Sequence, residues 1–167
     1  MTFVEKLILT INSSIKECDS HLSRVKRSYG LIGEFFPLTE DVLKNCSEER
    51  IEHLDQFIYR FTKLQDAMGA RLLPSVYSYL KNEVKPVPFI DILSGLEKYE
   101  VLTSENDWQF FRNLRNYLTH DYPETVAQTV LTLNMLFENW KKMESMYIRV
   151  RDYCLKKIDG VDKNFIV

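Results

Sequence analysis

The sequence predicts an all-α fold, an up-and-down bundle of four to five main helices, and three observations lead there. Only ten of the 167 residues are Gly or Pro, too few for an all-β chain, which needs a turn signal every 8–12 residues. Most of them fall in groups (Gly30, Gly33 and Pro37; Gly69 and Pro74; Pro86 and Pro88; Pro123), with long runs between. Within those runs apolar residues recur at alternating spacings of three and four, which gives a helix one buried face. A single helical domain over residues 1–167 is expected at this length. A composition of 45% hydrophobic and 28% charged residues excludes a disordered chain.

The first helix is predicted from Phe3 to Tyr29, with Val4, Leu7, Ile11, Ile15, Cys18, Leu22 and Val25 as its stripe and Gly30 as its stop. A short helical turn follows at Glu40 to Asn45. Ser47 then reads as an N-cap, with Glu48 and Glu49 in the first turn. A second long helix runs from Glu48 to Leu80 on Ile51, Leu54, Ile58, Phe61, Leu64, Met68 and Leu72, with a kink at Pro74. After the stiff Lys85-Pro86-Val87-Pro88 connector comes a short helix from Phe89 to Tyr99. Ser104 caps the next helix, with Asp107 three residues on, and Trp108, Phe111, Leu114 and Leu118 face inward. Pro123 and Glu124 suit the first turn of the last helix. That helix runs to about Ile158 on Val126, Val130, Leu133, Leu136, Trp140, Met143, Tyr147, Val150 and Cys154.

Net charge is −2, so the chain as a whole is no polyanion binder. Three cysteines, Cys18, Cys46 and Cys154, are too few and too odd for a secreted disulfide framework, which points to a reduced, cytoplasmic protein. The apolar stretch Leu7 to Ile11 is too short to span a bilayer and no small-residue cleavage site follows it, so neither a membrane nor a signal peptide is expected. No phosphate loop, Cys-x-x-Cys or histidine pair at helical spacing occurs. Cys18 and His21 make at most half a metal site and read as a buried thiol beside a surface imidazole. His53 reads as a solvated side chain.

Chemistry concentrates between Arg112 and Pro123, where two arginines, a histidine, two asparagines and two tyrosines gather at a helix junction. Arg112 and Arg115 share a helix face. His120, five residues beyond Arg115, points away from it on an unbroken helix, and the break forced by Pro123 lets it fold back. A guanidinium matches phosphate oxygens, and an imidazole exchanges protons near neutrality. Together they suit RNA cleavage in which a 2′-hydroxyl attacks its own phosphate. One chain offers one such histidine; a two-fold dimer would bring a second. A plainer reading also stands, in which Arg and His near a helix C-terminus serve the helix dipole and Tyr122 packs over the turn.

The pattern Arg115-Asn116-x3-His120-x-Tyr122 resembles the R-x4-6-H motif of the HEPN superfamily and, more closely, the R-N-x3-H-x-Y form of HepT-like toxins in MNT–HEPN toxin–antitoxin pairs. The stretches Phe61 to Asp66 and Leu96 to Lys98 are similar too, and the likeness covers about residues 51–136. Thr119 and Asp121 depart from the family, which commonly has a small apolar residue and Glu there. The resemblance implies a homodimeric, metal-independent endoribonuclease acting on RNA, without cofactor or metal. Arg115 and His120 would be its catalytic pair, with Asn116 beside them and Arg112 as a further phosphate contact. It also implies an MNT-type nucleotidyltransferase antitoxin that adenylylates Tyr122. The alternative is a non-catalytic helical binding partner of a nucleotidyltransferase.

Two charged segments remain. Residues 141–157 hold six basic residues against two acidic, and residues 40–55 hold six acidic against two basic. The first is either a guide for RNA or a solvated face; the second is a solvated face or a dock for a basic partner.

Overall fold

The computed structural model describes residues 1–119 and 125–162. Among them the chain forms seven α-helices and no strand: α1 (Phe3–Ile32), α2 (Glu40–Lys44), α3 (Glu48–Ala67), α4 (Leu73–Lys81), α5 (Phe89–Lys98), α6 (Glu105–Thr119) and α7 (Val126–Lys157). The all-α bundle is therefore present. None of these helices is long and apolar enough to cross a membrane.

Helix starts follow side-chain chemistry. Thr2 and Glu5 form a reciprocal capping box on α1. Thr39, Ser47 and Thr125 each accept from the backbone N–H three residues on, opening α2, α3 and α7. Helix α7 is capped by Thr125, whose hydroxyl accepts from Gln128 N–H, and the expected first-turn residues Pro123 and Glu124 lie outside the described residues. The α6 start is held twice, by Asp107 N–H donating to Ser104 Oγ (3.1 Å) and by Glu105 N–H donating to Glu97 Oε2 (2.9 Å).

Two expected boundaries shift. Helix α1 runs through Gly30 to Ile32 and gives way only at the 3₁₀ turn Gly33–Phe35. Ile32 is fully buried, and that burial, worth about 1.5–3 kcal/mol, exceeds the roughly 1 kcal/mol that a helical glycine costs. The long second helix breaks before Pro74, not at it. With no N–H on Pro74, the Ala70 carbonyl lacks its usual donor, and the backbone adjusts by widening into a π-helical turn over Met68–Leu72. Leu73 N–H then reaches back five residues to Met68 O, and Pro74 sits comfortably in the first turn of α4.

The core lies along α1, α3 and α7. Ile11, Ile15, Phe57, Phe61, Trp140 and Tyr147 are fully buried, and the Phe57 and Phe61 rings meet Trp140 edge-on at 6.0 and 6.5 Å. Helix α1 packs chiefly on α3, and α6 on α7. Most of the predicted stripe positions are buried. Val4 and Val126, at the outer ends of α1 and α7, are exposed. Leu118 is half-buried against the core.

Polar ties join α7 to the rest. Asn134 exchanges both its amide bonds with the backbone of Leu38, at 2.7 and 2.9 Å. Tyr147 Oη donates to Asp19 Oδ1 at 2.6 Å, and Arg151 Nε donates to both Asp19 oxygens at 3.0 and 3.1 Å. Arg149 Nε donates to the Glu100 carbonyl, Lys142 pairs with Asp107, and Lys141 pairs with Glu144. Five of the six cations of the α7 basic run are exposed, as a solvated face requires, and only Arg151 is half-buried; four of the six also have a carboxylate or carbonyl partner.

Candidate functional site

The π turn caused by Pro74 has a consequence on its exposed side. It places Gly69 and Ala70 against α6 and the start of α5, where a cavity of about 360 Å³ opens to solvent. Gln65 and Asp66 come from the last turn of α3, Phe89 from α5, and Trp108, Arg112, Arg115 and Asn116 from one face of α6. The Phe89 and Trp108 rings lie 5.9 Å apart and tilted, forming an apolar wall. Gly69 lets the backbone approach the indole closely: a Cβ in its place would stand 3.1 Å from Trp108 Cζ2, and the ring would have to give by a few tenths of an ångström.

Arg115 is the fixed charge of the site. Its Nη2 donates to Asp66 Oδ1 at 2.8 Å and its Nη1 to Asn116 Oδ1 at 3.1 Å, so acidic and amide oxygens orient the guanidinium from both sides. Arg112, three residues earlier, is exposed and lines the same cavity. Thr119, at a position where the resemblance has a small apolar residue, donates its hydroxyl to the Arg115 carbonyl at 2.8 Å, serving one of the last acceptors of α6.

Hydrogen bonding at this cavity is incomplete. Gln65 is 4% exposed, and both of its amide atoms are buried without a partner among the described residues. Trp108 Nε1 and Arg115 Nε are in the same state. Buried polar atoms in native proteins are nearly all paired, and these four belong to residues that line the cavity although the atoms themselves are closed to water; seven more among the described residues, Ser14 Oγ and Trp140 Nε1 included, lie elsewhere.

Arg112, Arg115 and Asn116, three of the predicted site residues, thus come together. His120 and Tyr122 lie outside the described residues, as does Pro123. Gln65 and Asp66 carry the site from α3 but entered the sequence analysis only as similar text, and Trp108 entered as a core residue. The signal that joins them is the proline nine residues past Gln65, which opens the turn between them and α4.

The other histidines and the cysteines have different settings. His21 is not a surface imidazole: its side chain is 12% exposed, with Arg60 Nη1 at 3.0 Å from Nδ1 and Glu17 Oε1 at 3.5 Å from Nε2. Glu17 also pairs with Arg71 on the π turn. His53 is half-buried, 3.7 Å from Glu49. Burial pushes the Cys18 thiol far up and the Cys154 thiol to about 12, so neither presents a thiolate near neutrality. Among the described residues no three His, Cys, Asp or Glu are grouped to hold a metal ion.

Comparison of the chain with protein-family models, with curated proteins and with solved structures returns no match.

Proposed function

We propose that this protein is a HepT-like endoribonuclease that works as a homodimer, with Arg115 as phosphate clamp and His120 as general acid and base. The observation that carries the reading is the convergence of Arg112 and Arg115 on one open cavity, on the helix that leads directly into His120 and Tyr122. In the proposed reaction one imidazole takes the proton of the ribose 2′-hydroxyl as its oxygen attacks the adjoining phosphorus. The bond to the 5′-oxygen breaks, and a second imidazole returns a proton to it, leaving a cyclic phosphate and a free 5′-hydroxyl. Arg115 holds the phosphoryl oxygens as charge builds on them. Two imidazoles in opposite protonation states are what a two-fold cleft with one His120 from each copy supplies. Tyr122, two residues on, is the group that a nucleotidyltransferase antitoxin would adenylylate.

The test is cleavage of RNA by the purified protein in EDTA. Arg115→Ala and His120→Ala are each expected to reduce the rate by about 10²- to 10³-fold, the cost of removing one charge-stabilising or proton-transferring group. Equal rates in all three proteins would overturn the assignment. Loss of cleavage on co-expression with the nucleotidyltransferase, with an AMP adduct on Tyr122 by mass spectrometry, would support the regulatory half of the reading.

A further inference from the structure

The cavity beside Arg115 contains more than a phosphate clamp requires. A phosphate needs cations and N–H donors; it has no use for an apolar wall or for a buried amide acceptor. Phe89 and Trp108 supply the first and Gln65 the second, within one space of about 360 Å³. That combination is how proteins hold a nucleobase: an aromatic surface for its face and a donor–acceptor pair for its edge. We propose that this cavity is a nucleobase subsite that holds an adenine of the RNA while Arg112 and Arg115 hold the adjoining phosphate.

The choice of base follows from the amide. A glutamine presents one acceptor and two donors, and it pairs with the neighbouring N6 amino donor and N7 acceptor of adenine. Oε1 and Nε2 of Gln65 are both buried and without a partner among the described residues, so a base edge replaces no hydrogen bond seen there. Both atoms are closed to water, so the side chain has to turn at its inner torsions, between staggered wells, for the amide to meet a base edge in the cavity. Asp66 sits on the same wall but is held by Arg115 Nη2, which keeps its carboxylate engaged beside the phosphate position. Gly69 keeps the backbone close under the indole.

This inference rests on the ribonuclease reading for the source of the nucleotide, and a calorimetric comparison separates the two. Adenosine 5′-monophosphate and ribose 5-phosphate carry the same phosphate and sugar and differ only in the base. The wild-type protein is expected to bind the nucleotide at least about fivefold more tightly, the low end of what stacking one base contributes. Gln65→Leu is expected to remove most of that preference. Equal affinity of the wild-type protein for the two compounds overturns the subsite, and because no variant is involved, misfolding cannot obscure that result. Tighter binding of uridine or cytidine monophosphate than of the adenine nucleotide overturns the choice of base. If RNA is cut in an Arg115-dependent way but the two compounds bind equally, the subsite alone falls. If no RNA is cut but the adenine preference holds and needs Gln65, the ribonuclease reading falls and the subsite stands.

Discussion

Two polar clusters in this molecule are built from similar parts and come to opposite ends. On the α1–α7 seam, Asp19 accepts from Tyr147 and from Arg151, and none of the three keeps a buried unpartnered atom among the described residues. On the α3–α6 seam, Asp66 accepts from Arg115, but Arg115 Nε, Trp108 Nε1 and the whole Gln65 amide go unmet. Each cluster pairs one carboxylate with one guanidinium. The first closes on itself, with the Ile15 carbonyl also 3.2 Å from Tyr147 Oη; the second lines an open cavity. A satisfied buried network rigidifies a core, while an unsatisfied one costs stability unless something binds there. The difference lies between these two clusters and not between whole seams, since Ser14 Oγ on α1 and Trp140 Nε1 on α7 are also buried without a partner among the described residues.

The comparison breaks most sharply at Tyr147. Its phenol is fully buried, and burial first, then the nearby Cys18 and Asp19, push its ionisation far above the usual tyrosine range, so it stays a donor at any ordinary pH. Tyr147→Phe removes a hydrogen bond to a charged group and keeps the ring packing. A loss of about 1.5–3 kcal/mol follows, equivalent to a Tm fall of about 3–12 °C for a chain this size. RNA cleavage assayed well below the new Tm is expected to be unchanged. A stable variant with impaired cleavage would mean that the two clusters are not separable in this way.

Asp66 offers a smaller and opposite test. Its side chain is 42% exposed, so Asp66→Asn is expected to change folding stability by less than about 1 kcal/mol. The amide oxygen still accepts from Arg115 Nη2, but the negative charge beside the phosphate position is gone. Two unit charges about 5 Å apart in a water-filled site repel by about 0.8 kcal/mol, so inorganic phosphate is expected to bind about fourfold more tightly at low salt. Calorimetry with phosphate measures this directly, and unchanged or weaker binding would show that Asp66 acts only by orienting the guanidinium.

The helices and most of the core were legible in the sequence because the bundle needs only a repeated apolar face, and α7 shows the stripe unbroken from Val130 to Cys154. Phe57 was missed. It lies one turn before Phe61, off the predicted line, and is buried because α1 and α7 both reach it. The basic run of α7 was legible as an exposed face, but a charge count along one helix cannot show that Asp19, Glu100 and Asp107 meet three of its cations from elsewhere in the chain. At the site, Arg112, Arg115 and Asn116 were legible as neighbours on one helix. Gln65 and Asp66 were not, since they are about 50 residues away in sequence and meet Arg115 only through the packing of α3 on α6. Pro74 was correctly read as a disturbance, but its effect lies upstream, at the carbonyl it leaves without a donor.

His21 provides the mildest test, at a third polar cluster between α1 and α3. A guanidinium can only donate, so with Arg60 Nη1 at 3.0 Å the Nδ1 of His21 is an acceptor and its single proton sits on Nε2, towards Glu17. Burial first, then the charges of Arg60, Lys63 and Arg24, lower its pKa below the ordinary 6.5 even with Glu17 opposite. The folded protein therefore takes up this proton at lower pH than the unfolded chain does. Between those two values the unfolded state binds more protons, and stability declines as pH falls from about 6.5 towards the lower folded value. His21→Gln keeps an acceptor for Arg60 and cannot titrate. The Tm of the wild-type protein is expected to fall more steeply than that of the variant from about pH 7.5 to about pH 5.5. Parallel curves would mean that the imidazole takes up its proton at the same pH in both states, the Glu17 carboxylate offsetting burial and the three cations around it.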